Sequence, residues 1–140
     1  MKHTVSAGDR SFIADLEACR LAPAEFDHRA HVRAAYCYLV EHDVERAAER
    51  MRDALLAFIQ HNGVPASKYH ETITRAWILA VRHFMASSAP ATSADEFITA
   101  NPRLLDSRIM LTHYSAEVLF SPEARAGFVS PDLTPIRRHD

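Results

Sequence analysis

Between Asp43 and Gly63 the apolar residues Val44, Ala47, Ala48, Met51, Ala54, Leu55, Phe58 and Ile59 recur at steps of three and four. That spacing gathers them on one stripe of a helix and leaves the charged residues on the opposite face. Asp43 is a side-chain cap for its start and Asn62-Gly63 a stop for its end, so a helix is predicted over 44–61. A stripe of this kind has to be covered, and the rest of the chain offers more helices to cover it. Only three glycines occur in 140 residues, and β-branched runs are few. With 48% hydrophobic residues the chain can bury a core without disulfide staples. The expected fold is an all-α, single-domain antiparallel bundle with short extra helices and an extended C-terminal tail.

The other elements follow from caps and periodicity. Residues 1–9 are polar and read as a loose N-terminus. Ser11 can cap a helix over 12–21 with Phe12, Ile13, Leu16 and Cys19 inward, stopped by Pro23. Asp27 caps a longer helix over 28–42, whose inward positions are His28, His31, Val32, Ala35, Tyr38 and Leu39. A loop with Pro65 leads to a helix over 69–86, with His70, Ile73, Thr74, Trp77, Ala80, Val81 and Phe84 on its inner stripe. Ser93-Ala94-Asp95-Glu96 is a capping box for a short helix ending before Pro102. Residues 104–114 are predicted helical, and Ser121-Pro122-Glu123 starts a last short helix. The tail over 131–136 is expected to lie extended across the bundle. The chain has no internal repeat and no low-complexity segment.

Sixteen basic and eighteen acidic residues leave a formal charge of −2. The basic residues are scattered rather than banded, which argues against nucleic acid or an anionic membrane as partner. The first ten residues hold no apolar leader core and no later run reaches the length of a membrane span, so a cytoplasmic location is expected. Cys19 and Cys37 lack the Cys-x-x-Cys spacing of redox or zinc motifs and read as two buried small residues.

Three histidines carry the functional expectation. If consecutive helices pack antiparallel across short connections, the 28–42 and 69–86 helices run in the same direction and begin at the same end of the bundle. His28 and His31, three residues apart, share a face, and His70 occupies the corresponding first turn. A helix N-terminus disfavours a protonated imidazole, and the neutral imidazole is the form that binds metal. His42, His61 and His83 sit near last turns, where surface cations or caps explain them. His28, His31 and His70 are therefore the expected metal ligands, at one end of the core.

Each residue also has a plainer reading. An inward histidine can be a hydrogen-bonded core residue. Glu71 complements the helix dipole and can pair with Arg75, four residues on. Glu25 precedes the first histidine helix and can be solvated. Thr74 can orient an imidazole or bond back to a helix carbonyl. Trp77 and Tyr38 read as core aromatics. Tyr69, His113 and Tyr114 are candidates for lining a pocket, with Tyr114 equally able to anchor a later element.

Several blocks share a resemblance. Phe26-Asp27-His28-Arg29-Ala30-His31, Tyr69-His70-Glu71-Thr72-Ile73-Thr74 with Trp77, Tyr114-Ser115, Leu119-Phe120-Ser121-Pro122-Glu123-Ala124-Arg125 and Pro131-Asp132-Leu133 resemble a family of small, uncharacterised bacterial all-helical proteins. The resemblance spans about residues 12–135. It implies that these blocks belong to one domain, and it implies no particular reaction.

Three functional expectations remain. In the first, His28, His31 and His70 hold one zinc, iron or copper ion in a small metal-dependent enzyme acting on a small-molecule substrate. Glu71 or Tyr69 would move protons, and Thr74, His113 and Tyr114 would help to form the site. In the second, one histidine is the axial ligand of a haem. In the third, the chain is a non-catalytic helical module that homodimerises or binds a partner.

Overall fold

The computed structural model describes residues 2–139, and every regular element among them is helical. Seven α-helices occur in the order α1 (Ala7–Glu17), α2 (His28–Glu41), α3 (Val44–His61), α4 (Glu71–Ala86), α5 (Ala94–Ala100), α6 (Ala116–Leu119) and α7 (Pro122–Ala126), with short 3-10 turns between them. Each α-helix except α4 opens on a Ser or Asp side chain that accepts from the backbone amide three residues on. The caps are Ser6, Asp27, Asp43, Ser93, Ser115 and Ser121. The bundle expected from periodicity is thus present, with α2, α3 and α4 packed on one another, α1 against α2 and α3, and α5 against α2.

The α3 stripe is buried as predicted at Ala47, Ala48, Met51, Ala54, Leu55 and Phe58. Its end is set by Gly63 at φ 70°, with Val64 N donating to Ile59 O and Gly63 N to Gln60 O. That is the paired bonding of a left-handed helix stop, which glycine adopts without steric penalty. The α1 helix ends in the same way on Cys19, at φ 57°, with Arg20 N bonded to Asp15 O. Cys19 is partly exposed rather than buried as expected, because it occupies the stop and not the helix face. Cys37 is buried, and burial pushes its thiol pKa up to about 12.

Three boundaries differ from the sequence reading. The first helix starts at Ala7, because Ser6 and Asp9 form a reciprocal capping box ahead of Ser11. Asp9 is buried and also accepts from Ala94 N and Arg33 Nε, so one carboxylate joins α1, α2 and the start of α5. Burial pushes its pKa up, but the Ala94 and Ser6 amides and Arg33 outweigh that and hold it below the usual carboxylate value. Residues 2–5 are not loose. Thr4 N bonds Ala91 O, and the His3 ring bridges Met85 O and Ala91 N. Finally, 104–114 is not one helix but parts of two 3-10 segments, Pro102–Leu105 and Ser107–Thr112, broken at Asp106, whose side chain accepts from Arg108 N.

Helix α4 lies between two cores. Ile78, Val81 and Met85 join the larger one, while Ala76, Leu79 and Ala80 join a second with Met110, Tyr114, Leu119 and Ile136. Burial on two sides explains why Thr72 and Ala76 are covered although they lie off the single stripe read from the sequence. The tail crosses this second core, strapped by Tyr114 Oη to Val129 O (2.6 Å), Thr72 Oγ1 to Gly127 O (2.9 Å) and the His113 ring to Thr134 O (2.6 Å). Its far end meets α4 through His83 Nδ1 and His139 Nε2, 2.8 Å apart. Among the described residues no helix is long and apolar enough to cross a membrane.

Candidate functional site

The start of α2 borders a cleft of about 500 Å³, within the range of roughly 300 to 1,000 Å³ usual for small-molecule sites. Asp27 caps the helix there and holds its first turn, so His28 and His31 project from a fixed backbone. The apolar walls are Phe26, Ile73 and Trp77 on one side and Met110, Leu111 and Leu119 on the other. Leu111 and Phe120, 42% and 59% exposed, stand at the opening.

His28 has one partner, Leu104 O, at 2.8 Å from Nε2. A carbonyl only accepts, so Nε2 carries a proton and donates it, and Nδ1 is left without a protein partner among the described residues. Its ring meets Trp77 edge-on, with centroids 4.7 Å apart. The His31 ring lies 4.3 Å from that of Phe26, and neither of its nitrogens has a hydrogen-bond partner among the described residues. Among the described residues no buried side-chain nitrogen or oxygen lacks a partner, so both His31 nitrogens keep contact with solvent, and the ring borders the cleft. Burial, and after it the neighbouring His28, pulls the His31 pKa from 6.5 down to about 4, with Asp27 opposing. At neutral pH the group is therefore an uncharged imidazole with one donor and one acceptor.

The charges around the cleft are balanced locally. Asp27 faces the N-terminus of its own helix and accepts from Ala30 N. Arg108 Nε and Nη2 reach the two Asp106 oxygens at 3.0 and 3.2 Å. What remains is an apolar slot with a hydrogen-bonding edge at His28 and His31.

His70 is elsewhere engaged. It is the N-cap of α4 rather than a first-turn residue, its Nδ1 accepting from Ile73 N at 3.1 Å and its Nε2 donating to Leu119 O at 2.7 Å. Both ring nitrogens are taken, and burial keeps the group below its ordinary pKa. The physical reason for its separation from the other two is register. His28 stands beside Trp77, seven residues beyond His70, which is about 10 Å of helical rise. The expected set of His28, His31 and His70 is therefore not assembled. Among the described residues no group of three or more His, Cys, Asp or Glu side chains is placed to hold a metal ion. His70 instead supports the cleft from behind, by fixing the carbonyl of the wall residue Leu119.

The remaining candidates also have structural partners. Tyr69 Oη donates to Glu71 Oε1 at 2.7 Å, and neither residue lines the cleft. Burial, then that bond, pushes the Tyr69 phenol well up. Arg75 pairs with Glu45 on α3, not with Glu71. Thr74 bonds back to His70 O, the plainer of its two readings. His113 and Tyr114 anchor the tail and do not line the cleft. Sequence reasoning missed the Met110, Leu111, Leu119 and Phe120 wall, because 3-10 segments carry no steady apolar period to announce a face. The one available signal is Leu119-Phe120, a pair of large apolar residues directly ahead of the Ser121-Pro122 helix start.

Comparison of the chain with protein-family models, with curated proteins and with solved structures finds no match to any of them.

Proposed function

We propose that this protein binds a small molecule in the cleft at the start of α2, with His31 as the principal polar contact. The observation that carries the reading is the unpartnered imidazole. A ring nitrogen partly withdrawn from water without a protein partner costs stability that a hydrogen-bonded or apolar residue would not. Such a residue belongs to a site whose partner is a ligand. The low His31 pKa favours recognition over proton transfer, since a base of pKa about 4 is far from the match to neutral pH that general-base catalysis needs. A metal-dependent enzyme would have to draw on His28 and His31 without His70. Two imidazoles leave half of a four-coordinate shell to other donors, so ligand binding is the preferred reading. Two free thiols, Cys19 and Cys37, support a reducing, cytoplasmic setting.

The test is amide and indole NMR of the uniformly ¹⁵N-labelled protein against a panel of ring fragments running from toluene and indole to benzoate. Perturbed resonances are expected to gather on Ile73, Trp77, Met110 and Leu111. Leu111→Arg, at an exposed position on the rim, should suppress them while leaving the thermal midpoint within a few degrees. Perturbations scattered over the surface, or unaffected by Leu111→Arg, would refute the assignment.

A further inference from the structure

The hydrogen-bonding inventory of the cleft narrows its ligand, given that the cleft is a binding site as proposed above. The two charged side chains that line it are already engaged, Asp27 by the amides of its own helix start and Arg108 by Asp106. An ionic ligand would lose its hydration and find no counter-charge. The walls include the indole of Trp77 and the ring of Phe26, which favour a flat apolar body. The polar edge is of mixed sign. Nε2 of His28 is taken by Leu104 O, which leaves its Nδ1 without a protein partner, and neutral His31 offers one N–H and one lone pair. A ligand group that satisfies this edge must donate a proton and accept one. A hydroxyl does both from a single atom; an ether or ketone oxygen only accepts.

We infer that the cleft takes an uncharged ring compound bearing a hydroxyl, a phenol or a similar cyclic alcohol, with the ring between Trp77 and Phe26 and the hydroxyl on His31 and His28. The ring is held by dispersion and burial, and the hydroxyl selects among molecules of the same shape.

Four probes of matched size separate the terms: p-cresol, toluene, 4-methylbenzoate and 4-methylbenzylammonium. Each is titrated at neutral pH into the full chain, and binding is read from the indole N–H resonance of Trp77, the single tryptophan. The p-cresol should bind roughly threefold to tenfold tighter than toluene, the range of one net hydrogen bond, and both charged probes more weakly than toluene. His31→Leu should bring p-cresol down to the affinity of toluene and leave toluene within about twofold, the size of change that falls below one net hydrogen bond. His31→Gln, which keeps a donor and an acceptor, should restore part of the preference and so separates recognition from loss of fold. Equal binding of p-cresol and toluene to the native protein would overturn this inference and leave the binding site standing. Tightest binding by either ion would overturn it as well. If no probe moves the Trp77 signal, the binding reading itself fails.

Discussion

Replacing His31 by leucine should flatten the acid limb of the protein's stability curve. In the unfolded chain this imidazole takes up a proton near its ordinary pKa of 6.5, while in the folded protein burial and His28 delay protonation until about pH 4. Above pH 6.5 both states hold the ring neutral and it contributes no pH dependence. As pH falls from 6.5 to about 4 the unfolded state binds more protons than the folded one, so stability is lost with decreasing pH, and below about 4 the loss levels off. At about 1.4 kcal/mol per pH unit for one proton, that interval amounts to about 3 kcal/mol. Urea unfolding of the native protein and of His31→Leu at a series of pH values between 7.5 and 4 isolates the term, since every other titrating group is common to both. The variant is expected to be no less stable at pH 7.5, because a leucine there needs no partner, and to be ahead by about 3 kcal/mol near pH 4. Parallel curves for the two proteins would refute the argument, because they would mean that the folded protein protonates the ring as readily as the unfolded chain does.

Other substitutions test other parts of the structure. His70→Ala removes the α4 cap and leaves Leu119 O without its donor, so a loss of about 2 to 4 kcal/mol in urea unfolding is expected. In zinc titrations followed by NMR, any shift of histidine resonances should fall on His28 and His31 and be unchanged in His70→Asn, whereas the set expected from the sequence would lose binding. Asp9→Ala breaks the carboxylate shared by Arg33, Ser6 N and Ala94 N, and should cost about 3 kcal/mol or more by the same measurement. The two left-handed helix stops should respond in opposite senses. Gly63→Ala should lower stability by about 1 kcal/mol, and Cys19→Gly should raise it by up to about 1 kcal/mol, read as shifts of the thermal midpoint.

The helices that the sequence makes legible are those whose caps and stripes agree. Asp27, Asp43 and Ser93 each accept the amide three residues on, and α3 shows one buried face with one glycine stop, so local chemistry and tertiary packing point the same way. Local chemistry misleads where two candidates compete. Ser6 and Ser11 both precede apolar residues, and what selects Ser6 is the reciprocal bond from Asp9, whose carboxylate is itself held by α2 and α5. Periodicity places His70 in the first turn of its helix, whereas its Nδ1 accepts an amide as a carboxylate oxygen would and so caps the helix, a role for which histidine is not among the usual residues.

The site was half legible. Asp27, His28 and His31 lie within one helical turn, and their mutual placement follows from the 3.6-residue period alone. The third histidine depends on the axial register of α4 against α2. That register is set by the path of residues 62–70 and by Trp77 packing on His28, neither of which has a periodic signature. The opposite wall of the cleft comes from the Ser107–Thr112 segment and α6; α6 and the neighbouring Pro102–Leu105 turn are short pieces tied down by carbonyl contacts, His70 to Leu119 and His28 to Leu104. Those contacts join residues 76 and 49 positions apart, beyond the reach of any local rule.

The most direct measurement is the ring ¹⁵N spectrum of the histidines at neutral pH, recorded with and without p-cresol. His31 should appear as a neutral imidazole whose two nitrogen shifts move on addition of the probe, while those of His70, fixed between Ile73 N and Leu119 O, stay in place. A His31 ring that is indifferent to the probe while resonances elsewhere respond would contradict the assignment of this cleft as the binding site.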